Sequence, residues 1–184
     1  MAVDNAASRI IQEASMSIMI ASATQAKPDR GFNLPMDLTT WIDRETLLAW
    51  TRDVVEQLDW TNPELVSHLR ANPAFRPKLM LCLLTFSYAS GTFGSEEISQ
   101  RCDQEVILQS LCENNPPTSN SIKRFRRENR GLLKSCLARV FKRAVRRNFE
   151  LGDPFFPAGF RPYLVNAATV RLDIARQMDR ADEP

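Results

Sequence analysis

Histidine and glycine are scarce in this 184-residue chain, and it has neither a close cysteine pair nor a long apolar run. The single histidine, His68, follows a helix-like Leu65-Val66 pattern with no local Cys or Asp partner, so a surface or packing role is expected. Cys82, Cys102, Cys112 and Cys136 form no CxxC pair and none lies near His68. A zinc site needs such paired spacing. Each cysteine sits in an apolar, helix-patterned stretch, and buried free thiols in a reducing compartment are expected. The 6 glycines build no phosphate-cradling loop, because Gly91-x-x-Gly94 is too short for one. With few β-branched alternations as well, a sheet-rich fold is disfavoured. The apolar run Met16 to Ala21 is interrupted by Ser17 and far too short to span a bilayer. Residues 1–32 are read as a weakly ordered or helical N-terminal extension, and the protein is expected to be cytoplasmic and to avoid membranes. There is no internal repeat and no low-complexity tract.

What remains is an ordinary globular composition, 43% apolar and 25% charged, long enough for one good core. Asp43 precedes a helical stripe of Leu47, Leu48, Trp50, Val54, Val55 and Leu58. Asn62-Pro63 and Asn72-Pro73 mark breaks on either side of a short helix at Leu65–Leu69. Pro77 suits a first helical turn, and Lys78 to Ser90 is apolar nearly all round, as a buried central helix would be. Gly91 is a natural stop. Ser95 is expected to cap a helix over Glu96–Cys102, with the acids Glu96 and Glu97 favourable in its first turn. Being adjacent, those two acids face different ways and do not make an acid-base pair. Another helix is expected from Gln104 to Leu111, before the Asn114-Asn115-Pro116-Pro117 turn. A basic helix capped by Ser119 or Asn120 then runs to Arg130. Gly131 is expected to interrupt it before a longer basic helix from Leu132 to Phe149. Residues 151–184 read as a Pro/Phe-rich loop, carrying Phe155, Phe156 and Phe160, followed by a short helix from Ala167 to Met178 with Val170, Ile174 and Met178 on one side.

The charge is poorly mixed. From Lys123 to Arg147 there are 11 Lys or Arg and one acid, Glu128, so the rest of the chain is net acidic although the whole carries only +2. Such asymmetry signals a partner rather than a fold. Ile122 and Phe125 share one face of the first basic helix, and Lys123, Arg126, Arg127 and Arg130 are expected on the other. In the second helix Leu133, Leu137, Val140 and Ala144 form a stripe, with Arg139, Lys142, Arg143 and Arg146 opposite. Helices of this kind can dock on a core while presenting dense positive charge, which suits phosphates and a steep salt dependence. The order of capped helix, short helix, polar turn and basic helix suits a helix-turn-helix variant over Gly94 to Arg127. Asn120, Lys123, Arg124 and Arg127 lie near the start of its reading helix, where Arg pairs with guanine and Asn with adenine.

Three segments together resemble the N-terminal (InsH-type) domain of insertion-sequence transposases of the DDE class. They are DLTTWIDRETLLAWTRDVVEQLD (Asp37–Asp59), RPKLMLCLLTFSYASGTFGSEEISQRC (Arg76–Cys102) and PPTSNSIKRFRREN (Pro116–Asn129). The resemblance covers roughly Asn33 to Asn148 and rests on order and spacing. Thr118 stands where the family usually has Asp, Ser121 where it has Thr, and a His common in the first helix is missing near Thr46-Leu47. The resemblance implies an all-α, compact multi-helix domain over residues 33–150, with a helix-turn-helix-like segment and a long basic helix. It implies DNA as the partner, with transposon ends as the target. The candidate contacts are Asn120, Lys123, Arg124, Arg126, Arg127, Arg130, Lys134, Arg139, Lys142, Arg143, Arg146 and Arg147. The catalytic RNase H-like domain of such transposases needs well over a hundred further residues, and about 35 follow Asn148. Asp173, in a helix-like VRLDIARQM, offers no two-metal site. The chain is therefore expected to be non-catalytic alone, with no cofactor, metal or small-molecule substrate, and with itself or a full-length transposase as further partners. A protein-interaction module and an RNA-binding helical protein are the alternatives.

Overall fold

A computed structural model describes residues 33–62, 76–150 and 159–181. The expected N-terminal extension, the Leu65–Leu69 helix with His68, and Phe155 and Phe156 lie outside the described residues. The fold is all-α. A 3-10 turn at Leu38–Thr40 leads into α1 (Arg44–Glu56), α2 (Pro77–Ala89), α3 (Ser95–Gln104), α4 (Val106–Leu111), α5 (Ser119–Glu128), α6 (Arg130–Asn148) and α7 (Phe160–Ala181).

Local chemistry explains most of these boundaries. The Asp43 carboxylate accepts from the Thr46 N–H at 2.7 Å and starts α1, one orphan donor satisfied by a cap. Pro77 opens α2, where its missing N–H costs nothing. Every residue from Met80 to Ala89 is buried, so α2 is the central helix that its all-round apolarity implies. It ends at Gly91, whose φ of +78° suits a residue without Cβ; an added Cβ would also sit 3.3 Å from that of Asp37. Asp37 forms an isolated bridge with Ser90 at this point.

Besides Ser95, which opens α3 as its first residue instead of capping it, three boundaries differ from the sequence expectation. α5 is capped by Thr118, which accepts from Ser121 N–H at 3.3 Å, rather than by Ser119 or Asn120. A capping residue thus occupies the position where the resembled family usually has Asp. The break between α5 and α6 falls at Asn129, not Gly131, and the Asn129 side chain donates to the Phe125 carbonyl at 3.0 Å. Gly131 lies inside the first turn of α6, with open space around it.

The third difference is the largest. α7 begins at Phe160 and runs for 22 residues, because Pro162 falls in its first turn, where proline is tolerated. Its buried side is Leu164, Ala168, Leu172 and Ala175, whereas Val170 and Met178 are exposed. α7 packs lengthwise on α6, and α6 also touches α1 and α2, so one core unites α1, α2, α6 and α7. Arg171 fastens the segment before the 3-10 turn to α7. It is buried, lies 4.3 Å from the centroid of the Phe141 ring, and donates to the carbonyls of Pro35 and of Met36, the latter at 3.3 Å. Burial pulls its guanidinium down to about 10, which leaves it cationic at neutral pH. The four cysteines are buried and unbridged. Burial pushes the Cys82 thiol up to about 11 and the Cys136 thiol up to about 12. No helix among the described residues is long and apolar enough to cross a membrane.

If α7 is part of the core, Leu172→Ala should cost about 2–5 kcal/mol of stability in urea unfolding, the usual cost of a buried leucine truncation. A change below about 0.5 kcal/mol, the usual level for surface positions, would mean that α7 is an appendage.

Candidate functional site

α5 is held on the body by Ile122 and Phe125, both fully buried, and by Arg126. Arg126 was expected on the solvent side with Lys123, Arg127 and Arg130; instead it points inward, with 8% of its side chain exposed. The reason is a partner that helical spacing within α5 does not reveal. Asp179, in the last turn of α7 and only 6% exposed, forms an ion pair with Arg126 Nη2. Arg126 Nη1 donates to the Tyr88 hydroxyl at 3.2 Å and to Ser95 Oγ at 3.3 Å. Ser95 in turn donates its hydroxyl to Asp179 Oδ2 at 2.8 Å and its backbone N–H to Asp179 Oδ1 at 2.9 Å.

This cluster also explains the start of α3. Ser95 is the first residue of that helix, Gly94 precedes it, and no local side chain caps it. The Asp179 carboxylate, 84 residues away, takes the capping role by accepting the Ser95 N–H. Burial alone would lower the Arg126 guanidinium, but the Tyr88 hydroxyl and the Asp179 carboxylate outweigh it and hold the cation. Burial pushes Tyr88 up to about 12, against the pull of Arg126, so its hydroxyl stays neutral. A buried pair that is fully hydrogen-bonded can be tolerated in a core; one left without its partner cannot.

The other expected residues divide into two sets. Asn120, Arg124 and Arg127 are exposed on α5, and Lys123 is half-buried beside them. Arg124 reaches Glu128 at 2.8 Å along the same helix, an exposed pair of little weight. On α6, Arg139 and Arg143 turn toward α1. Arg139 donates to Gln57 Oε1 at 2.9 Å and to the Val54 carbonyl at 3.5 Å. Arg143 reaches Asp53 at 3.1 Å and the Trp50 carbonyl at 3.5 Å. They tie the basic helix α6 to the C-terminal half of α1 and the residue after it. Arg130 meets Asp173 of α7 at 3.0 Å. Arg146 is half-buried and Arg147 exposed. Lys134, Arg139 and Lys142 border a groove of about 580 Å³ between α6 and α7, together with Arg161. Arg161 escapes the sequence pattern because Pro157, Gly159 and Pro162 around it look like loop chemistry.

Behind α5, α3 packs across it, and Ser99 Oγ donates to the Pro117 carbonyl at 3.0 Å, pinning the turn between α4 and α5. Arg76 holds the same turn from the other side, donating to the carbonyls of Cys112, at 3.1 Å, and of Asn115. Glu105, between α3 and α4, takes Arg101 at 2.5 Å and also Arg44 of α1. Burial would raise its carboxyl, but these two arginines outweigh it and hold the group below the usual range. The α3–α4–α5 unit is thus fastened at both ends.

The family described as Transposase domain (DUF772) matches residues 36–128, about half of the chain. The chain belongs to this family. No curated protein and no solved structure matches it. The transposase-domain match ends at the last residue of α5, so it includes Tyr88, Ser95 and Arg126 of the buried cluster, while Asp179 comes from outside it. Among the described residues, no group of three His, Cys, Asp or Glu side chains is placed to share a metal ion.

Asp179→Ala should cost about 3–5 kcal/mol in denaturant unfolding, because it strands the buried Arg126 charge. A loss under about 1 kcal/mol, with α5 unperturbed by NMR, would show that the cluster does not hold α5 in place.

Proposed function

We propose that this transposase-domain protein binds DNA, with transposon ends as its target, through the exposed side of α5. In this reading α3, α4 and α5 act as a helix-turn-helix variant and α5 is the reading helix. One observation carries it: Asn120, Arg124 and Arg127 stand exposed on α5 while Ile122, Phe125 and Arg126 lock its opposite side into the core. A rigidly seated helix that presents Arg and Asn in its first two turns has the chemistry to meet base edges and phosphates together. Membership of a transposase family supports the same reading. Lys134, Lys142 and Arg147 add backbone contacts in this proposal, whereas Arg126, Arg139 and Arg143 serve the fold. The role is gripping DNA in the cytoplasm, and no catalytic step is assigned to these residues.

A labelled duplex titrated between about 50 and 200 mM salt tests this, since phosphate contacts lose affinity steeply over that range. Arg124→Ala with Arg127→Ala should weaken binding and reduce the log–log salt slope by about 2, close to one unit per phosphate contact, with the melting temperature unchanged. No binding by the wild-type protein at low salt would sink the proposal. A preference for hairpin RNA would reassign it to RNA.

A further inference from the structure

The C-terminal helix does more than cap α3. Where α7 passes α5, the two helices bound a cleft of about 460 Å³ lined by Lys123, Arg126, Arg127, Arg130, Arg176, Asp179 and Arg180. Among these lining residues Asp179 is the single acid, and it is engaged by Arg126 and Ser95. The nearest further carboxylate on α7, Asp173, is shared between Arg130 at 3.0 Å and Arg176 at 3.5 Å. Arg127 and Arg180 have no ionic partner among the described residues. Among the described residues, the cleft therefore carries more positive charge than the carboxylates beside it neutralise.

Its layout is regular. Lys123 and Arg127 stand four residues apart on α5, and Arg176 and Arg180 four apart on α7, so each pair lies on one helix face about 5–6 Å apart. The Arg126–Asp179 pair joins the helices between them and fixes their separation. The result is two short rows of cations on two helices, with Arg130 in the same lining. Five of the six cations are arginine, whose planar fork of donors matches the oxygens of a phosphate group better than a point charge does.

We propose that this cleft is a phosphate-binding site in which Arg176 and Arg180 of α7 act with Lys123, Arg127 and Arg130, and that the phosphate is a backbone phosphodiester of the nucleic acid held by α5. Arg127 belongs both to the cleft and to the exposed side of α5, with half-buried Lys123 beside it, so a polyanion lying along that helix passes over the cleft. This inference rests on the proposed DNA reading for the source of the phosphate, but not for the site itself. It makes α7, outside the family-matched residues, part of the interface.

The test is the full chain carrying Arg176→Ala and Arg180→Ala together, first shown to melt as the wild type does. Duplex affinity should fall about tenfold at 100 mM salt for every sequence alike, and the salt slope should drop by one to two units. Arg176→Lys with Arg180→Lys should restore most of the slope, and Arg52→Ala on α1, which does not line the cleft, should leave it unchanged. Wild-type binding that the double alanine variant reproduces in both affinity and slope would overturn the cleft while leaving the α5 reading intact. If the wild type binds no duplex, inorganic phosphate separates the remaining cases. A rise in melting temperature in the wild type but not in the double variant would keep the site and reject the backbone source along with the DNA reading. No rise in either would overturn both.

Discussion

Arg126 and Asp179 lie 53 residues apart in sequence, and their buried contact fixes how four helices stand to one another. Through it α5 is joined to α7, the first residue of α3 acquires its cap, and Tyr88 brings in the central helix α2. A buried ion pair is a poor source of net stability, because desolvation consumes much of its Coulomb attraction. What it supplies is registry. In this placement of α7 the Asp179 carboxylate satisfies the Arg126 guanidinium, the Ser95 N–H and the Ser95 hydroxyl at once. The apolar contacts of Leu164, Ala168, Leu172 and Ala175 provide the burial; Asp179 decides where along α6 it happens.

A similar division of labour runs through the basic stretch as a whole. Eleven cations in 25 residues look like one surface, yet they have several separate tasks. Arg126 is structural; Arg139 and Arg143 are bound to α1 through Gln57, Asp53 and two backbone carbonyls. Arg130 is shared with α7. Part of the positive charge is therefore used internally, on single carboxylates of α1 and α7 (Asp53, Asp173 and Asp179). The exposed remainder, led by Asn120, Arg124 and Arg127 on α5, is smaller and better defined than the composition suggests.

Sequence patterns were informative for several features whose cause is local, though not for the Thr118 cap of α5. The start of α1 after Asp43, Pro77 as a first-turn residue, Gly91 as a stop and the Ile122–Phe125 face depend on neighbours within four residues, and each appears as expected. The fate of Arg126 depends on Asp179, and that of Arg143 on Asp53; helical spacing inside α5 or α6 contains neither. The extent of α7 was missed for another reason. Pro162, Pro157 and Gly159 together look like loop chemistry, but Pro162 breaks no hydrogen bond once it stands in a first turn. Asn129 ended α5 where Gly131 was expected to, because an Asn side chain can take the last-turn carbonyl of Phe125, an interaction that glycine does not have.

One consequence concerns how charge removal on α5 must be read. Arg126 and Arg127 are adjacent in sequence, yet a truncation at the first leaves the Asp179 carboxylate buried and unpaired, and a truncation at the second removes a solvent-facing cation. Pooling them in one variant would merge loss of the fold with loss of a contact. Separating them by burial turns the salt slope into a usable quantity, since a folded variant that loses one phosphate contact changes the slope by about one unit, while an unfolded one loses the interface altogether. Burial, more than charge or position in the motif, is what sorts these arginines.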